Sequence, residues 1–134
     1  MKAKFVNTWN RSKQPRKQRK YRANAPLHIK RKLLSAHLSK ELRKKYNKRS
    51  MGLRKGDKVR VLVGDFKGKT GVIESIDLRK EKVLVRGVEV VKKDGTKVMR
   101  PINPSNLEII ELNLDDNKRK KILERKTKSG QNKK

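Results

Sequence analysis

The sequence predicts a mainly β protein: a small barrel of five short strands, with a long basic N-terminal extension containing short helices and a C-terminal helix. Three observations predict it. Between residues 54 and 112, β-branched residues alternate with polar ones at period two and glycine turns punctuate the runs. That stretch is close to charge balance, with fourteen Lys and Arg against nine Asp and Glu, and it alone looks able to build a core. On either side the charge climbs: residues 1–50 hold eighteen cations and one acid, Glu41, and residues 113–134 hold nine cations and three acids, so that the 134 residues carry +28. Limbs of this density repel themselves and bury little apolar surface, so the expected partner is a polyanion that gives them shape.

Four segments follow: an extended basic arm over 1–24, a basic helical extension over 25–53, the barrel over 54–112, and a basic helix with tail over 113–134. In the arm, cations mix with Asn, Ser and Gln and no helical or strand period emerges. Pro26 suits a first helical turn, and Leu27, Leu34, Leu38, Leu42 and Tyr46 then recur at helical spacing. Ser35 or Ser39 can cap a second helix, which divides 26–46 into two short helices with a bend. Val59, Val61 and Val63 share one face of the first strand, and Thr70 to Leu78 return. Val83 and Val85 share a face until Gly87, after which Val88 and Val90 take over, a phase slip that predicts a β-bulge. Asp94-Gly95 is a hairpin turn, and Val98 to Ile102 and Leu107 to Leu112 supply the last strands. Asp115 and Asp116 stand where the positive end of a helix dipole wants them, before a helical run over 118–126; beyond Thr127 the composition predicts a frayed tail.

The chain lacks cysteine, which excludes disulfides and thiolate metal sites. Its apolar runs fall far short of the ~20 residues that span a bilayer, so no membrane association is expected. The start, Met1 to Asn10, lacks a secretory apolar stretch, and the protein is expected to stay where it is made. His28 and His37 have no second ligand at metal spacing, so neither a metal nor another cofactor is expected. Asp57 and Asp65 read as turn residues rather than a catalytic pair, and no activated nucleophile is evident, so no enzyme activity is expected.

The run from Gly56 to Ile73 carries the chemistry. Gly64, Gly68 and Gly71 allow positive φ and let backbone N–H groups approach a phosphate, beside Lys67 and Lys69. Tight turns in small barrels also want glycine. The run closely resembles the KOW motif, an RNA-associated strand-loop-strand, which implies a Src-homology-3-like barrel and assigns RNA contact to Gly64, Lys67, Gly68, Lys69 and Gly71. Ala25-Pro26-Leu27-His28-Ile29-Lys30-Arg31-Lys32, the segments Leu38 to Arg43, Lys45-Tyr46 and Arg49 to Met51, Gly95-Thr96, Ile102 to Asn106, and the ending Arg119 to Lys126 extend the likeness. They resemble the large-subunit ribosomal family called L twenty-four in bacteria and archaea and L twenty-six in eukaryotes, on its archaeal branch. This resemblance implies a cytoplasmic constituent of the large ribosomal subunit that binds the 5′ region of its rRNA near the nascent-chain tunnel exit and acts early in assembly. It implies as partners that rRNA, neighbouring large-subunit proteins and the nascent chain, with no homo-oligomer.

In the extensions, Arg11, Lys13, Arg16, Lys17, Arg19, Lys20, Arg22, Lys30, Arg31, Lys32, Lys118, Arg119, Lys120 and Lys121 are candidates for phosphate contact. Trp9 and Tyr21 are candidates for stacking on unpaired bases, and His28 stands beside Lys30 and Arg31 as a further contact. Two other readings compete: a KOW-containing transcription elongation or RNA-processing factor, and a basic architectural DNA binder.

Overall fold

The computed structural model describes residues 5–131, with side chains through residue 125. A 3₁₀ turn over Asn7–Arg11 leads into α1 (Pro15–Asn24), α2 (Leu27–Leu33), β1 (Ser35–Leu38), α3 (Lys40–Tyr46) and β2 (Ser50–Gly52). The part of the arm within the described residues is therefore not extended. Pro15 occupies the first turn of α1, and the Arg, Lys, Gln and Ala that follow are good helix formers. The Gln18 side chain donates to the carbonyls of Trp9 (3.1 Å) and Ser12 (2.5 Å), pinning the 3₁₀ turn to the helix. Tyr21 is the buried residue of α1, with its ring 5.0 Å from that of Phe5. One inward aromatic per helix leaves no period to detect.

Nor is the following extension purely helical. Ala36 and Leu38 point inward on β1 while His37 is exposed, and the strand pairs with β2 antiparallel and with a distant strand in parallel. The expected cap at Ser39 is present: its hydroxyl accepts from Leu42 N–H (3.4 Å) at the start of α3.

The remaining strands are β3 (Lys58–Val61), β4 (Thr70–Asp77), β5 (Lys82–Val85), β6 (Glu89–Val91), β7 (Lys97–Met99) and β8 (Leu107–Glu111), before α4 (Asn117–Gln131). Among the described residues, 54–112 holds six strands rather than five, and β1 and β2 precede them. Six form one sheet in the order β2-β1-β8-β3-β4-β5, and β6 and β7 form a separate ribbon. On its far side β5 is joined, among the described residues, by a single bridge between Val83 and Ile102, so no continuous ladder closes the sheet into a barrel. Gly87 is not a bulge: at φ 86° it makes a turn, with Val88 N–H donating to Val85 O (3.2 Å), and the strands on either side belong to different sheets. The register irregularities fall instead between Lys58 and Val59 and between Ile73 and Ser75. Val63 lies beyond the end of β3 and is exposed, as is Val90 on the ribbon, so neither belongs to the expected apolar face. Asp94-Gly95 does turn the β6–β7 ribbon, with Gly95 at φ 85°. The backbone of α4 continues past the expected start of the tail to Gln131.

The core joins the main sheet to α4: Ala36 and Leu38 of β1, Val59 and Val61 of β3, Ile73 of β4, Val83 and Val85 of β5, Leu107 and Ile109 of β8, and Leu123 of α4. Beside it lies a buried ion pair. Asp57, fully buried, receives Arg119 of α4 in two-pronged fashion, Nη1 to Oδ1 at 2.6 Å and Nη2 to Oδ2 at 2.7 Å. The carboxylate also accepts from the backbone N–H groups of Arg54 (2.8 Å) and Asn113 (2.9 Å). The guanidinium donates in addition to the carbonyls of Asn113 (2.8 Å) and Gly52 (3.0 Å). Asp57 does stabilise a turn, and it also anchors the C-terminal limb.

Breaking this pair leaves a buried charge without its partner, and Asp57→Ala is expected to lower stability by about 3–5 kcal/mol. Arg54→Ala, which removes the partly exposed Arg54–Asp116 bridge, is expected to change it by about 0–1 kcal/mol. Urea unfolding of the two variants reads the difference, and equal losses would deny the buried pair its role.

Candidate nucleic-acid interface

The loop between β3 and β4 is built by its glycines. Gly64 (φ 96°) and Gly68 (φ 86°) hold left-handed conformations, with open space where a Cβ would stand. The loop spends its donors on itself. Lys67 N–H donates to Gly64 O (3.0 Å), Gly68 N–H to Val61 O (2.8 Å) and Lys69 N–H to Phe66 O (3.1 Å). Those three N–H groups are thus committed to carbonyls and do not form the expected phosphate cradle. What the loop presents outward is the exposed side chains of Lys67 and Lys69.

Gly71 does different work. It sits in β4 opposite Val59, and a Cβ there would collide with the backbone carbonyl of Arg86 and approach Val85 Cγ1 to 2.8 Å. Its glycine is required by strand packing. A residue that the sequence did not single out completes the loop: Arg100 pairs with Asp65 (2.8 Å), and its guanidinium carbon lies 6.0 Å from the Phe66 ring, with Lys69 Nζ 5.0 Å from the same ring. Thirty-five positions separate Arg100 from Asp65 in the chain, so no local pattern joins them.

The N-terminal candidates separate by environment. Arg11, Lys13, Arg16, Arg19 and Lys20 are exposed, while Lys17 is partly covered. Trp9 is half-buried, with Lys17 and Lys20 each placing Nζ 5.6 Å from its ring. Tyr21 is buried and is no stacking platform. Arg22 is bound to Glu81 (2.5 Å), and Lys30 Nζ donates to Arg79 O (3.2 Å). His28, Arg31 and Lys32 are exposed on α2. On α4, Lys118, Lys120 and Lys121 are exposed, whereas Arg119 is held in the Asp57 pair and is removed from the RNA-facing set.

Acids are concentrated where they offset cations within the sheet domain. Lys58 pairs with Glu111 (2.8 Å) and Arg60 with Glu108 across β3 and β8. Asp116 lies below the usual carboxylate range, chiefly because Lys118 N–H donates to it (2.9 Å), with Arg54 adding to the effect. Asp77 is lowered chiefly by Lys80 N–H (3.0 Å), and Arg79 N–H (2.9 Å) adds to it. Such depressed groups stabilise the fold at neutral pH and lose that contribution as pH falls through their folded pKa. Among the described residues no cluster of His, Cys, Asp and Glu suits a metal, and no helix is long and apolar enough to cross a membrane.

A sheet domain that pairs Lys58 and Arg60 of β3 with acids of β8 and turns cationic helices and a lysine-tipped loop outward has the character of a polyanion-binding protein. Residues 12–126 match the family of ribosomal proteins described as L twenty-six in eukaryotes and L twenty-four P in archaea. The chain is 53% identical over 114 residues to the large ribosomal subunit protein uL24 of Methanothrix thermoacetophila, covering 85% of this chain and 98% of that protein. It is 54% identical over 112 residues to the protein of that name from Methanoculleus marisnigri (84% and 93%), and 49% over 115 residues to that of Methanosphaera stadtmanae (86% and 98%). The chain belongs to this ribosomal protein family, on its archaeal side, and is a structural protein rather than an enzyme.

Gly71→Ala tests the reassignment of that residue. The clash with Arg86 is expected to lower stability by about 1–3 kcal/mol, while RNA affinity of the folded fraction stays unchanged. A selective loss of affinity at unaltered melting temperature would return Gly71 to the binding surface.

Proposed function

We propose that the chain is a cytoplasmic, structural constituent of the large ribosomal subunit, binding the 5′ region of its rRNA near the nascent-chain tunnel exit and assisting early assembly. The observation that carries the RNA-binding part is the partition of charge: Lys58 and Arg60 are paired with Glu111 and Glu108 on the sheet, while Lys67, Lys69, Arg16, Arg19, Arg31, Lys32, Lys120 and Lys121 stand exposed on the loop and the helices. Proximity to the tunnel exit and the assembly role rest on family resemblance.

The mechanism is neutralisation combined with shape. Folded rRNA crowds its phosphates, and each Lys or Arg that contacts one releases condensed counterions, so affinity falls steeply with salt. The antiparallel run β8-β3-β4-β5, with the Val83–Ile102 bridge beyond β5, supports reading the centre as a Src-homology-3-like barrel to which β1 and β2 are added. Neighbouring ribosomal proteins and the emerging chain are the other expected contacts. The family match spans 12–126 and so includes most of the N-terminal extension, which a free-standing transcription factor would not require.

Replacing Lys67 and Lys69 together by Ala is expected to reduce the slope of log affinity against log salt by about 1.4–1.8, two phosphate contacts' worth, in titrations with a fragment of large-subunit rRNA. An unchanged slope would remove the loop from the interface. Deleting residues 1–24 is expected to leave the sheet folded and to deplete the protein from large subunits on sucrose gradients, an outcome that normal cofractionation would contradict.

A further inference from the structure

Between α2, the end of β2 and α4 lies a groove of about 640 Å³. That size falls within the roughly 300–1,000 Å³ of small-ligand sites. Its apolar lining includes Leu27, Met51, Leu53 and Ile122, of which Leu27 is 51% and Ile122 is 40% exposed. Its rim is cationic. His28, Arg31 and Lys32 stand at i, i+3 and i+4 on α2, which places them on one face, and among the described residues no carboxylate lines the groove. Arg119 forms part of the wall, and its Nε is the buried side-chain polar atom that has no hydrogen-bond partner among the described residues.

We propose that this groove receives an unpaired rRNA nucleobase splayed from its strand, with the adjoining phosphates held by His28, Arg31 and Lys32. The inference rests on the rRNA-binding reading above and adds to it a base-receiving site. The physical argument is the combination of surfaces. A cationic rim alone serves phosphates, and an apolar floor offers them nothing. A nucleotide has both halves: a flat base that sheds water onto apolar side chains, and a backbone that stays with the rim. An added peptide strand fits less well, because β2 is a three-residue edge whose Gly52 carbonyl already accepts from Arg119 Nη2.

The test uses the full chain and two labelled ten-nucleotide strands of equal charge, one of uridines and one of abasic ribose phosphates, followed by fluorescence anisotropy at fixed salt. Wild type is expected to prefer the uridine strand by about fivefold or more. In the Leu27→Ser, Ile122→Ser double variant that preference is expected to vanish while the abasic affinity holds. Both positions are exposed, so the fold is expected to survive, and a melting curve checks it; Arg31→Ala provides a second variant, expected to weaken both strands equally. Equal binding of the two strands by wild type, or a preference retained in the double variant, would overturn the base site. It would leave the rRNA-binding reading standing as long as both strands bind with a steep salt dependence. Absence of salt-dependent binding to either strand would overturn both. Displacement of the uridine strand by a glutamate-leucine peptide, lost in the double variant, would assign the groove to a protein partner instead.

Discussion

The buried pair between Asp57 and Arg119 holds together parts of the chain that otherwise have little reason to meet. One carboxylate gathers the guanidinium of α4, the N–H of Arg54 ahead of β3 and the N–H of Asn113 after β8, while the guanidinium also reaches back to Gly52 at the end of β2. A buried ion pair adds little net stability compared with apolar packing, because desolvating both charges offsets most of the attraction. What it adds is geometry. Two-pronged pairing fixes the rotation of α4, so that Leu123, one turn on, enters the core and Lys120 and Lys121 face outward.

That anchoring decides which charges are available. Lys118, Arg119, Lys120 and Lys121 are consecutive cations, and the helix sends one of them inward to a carboxylate. The same division recurs elsewhere: Arg22 is held by Glu81 while Arg16 and Arg19 remain exposed on the same helix, and Arg60 is held by Glu108 while Lys67 and Lys69 project from the next loop. Acids therefore act as positioning devices for the limbs and the sheet. Exposed cations remain on the helices, the loop tip and the ribbon, where Lys92, Lys93 and Lys97 stand, and a polyanion can reach them there.

The legible parts of the sequence were those in which one signal sufficed. The alternation of Val59 with Val61 and of Val83 with Val85, the Asp94-Gly95 turn, the Ser39 cap and the acid preceding α4 each act within a few residues, and each is present. β1 was missed for a geometrical reason. Leu34 and Leu38 are four apart, a spacing that a helix and a strand both place on one face, and only the small, easily overlooked Ala36 between them distinguishes period two. The strand exists because β8, some seventy positions away, pairs with it in parallel. Of the candidate site, the exposed cations were legible and the buried exceptions were not. Arg119 looks like its neighbours, and what separates it is Leu123 four residues later on the same helical face together with an acid sixty-two positions earlier. Arg100 joins the loop by the same kind of long-range placement.

Helical limbs change the energetics of docking relative to free polycationic tails. Ordering a backbone residue from coil costs about 1–2 kcal/mol, so ten residues of unstructured arm would surrender a large share of their electrostatic attraction on binding. In α1 the backbone is already set, fastened by Gln18 at one end and by the Arg22–Glu81 pair at the other. α2 and α4 are set by the sheet on which they rest, through Leu34 and Leu123. What remains to be ordered on contact with RNA is mainly lysine and arginine side chains on fixed faces. A fixed face matches one arrangement of phosphates better than others, whereas a flexible tail of the same charge accommodates them all. Shape recognition by this chain therefore depends on the fold within its basic limbs as much as on the sheet between them.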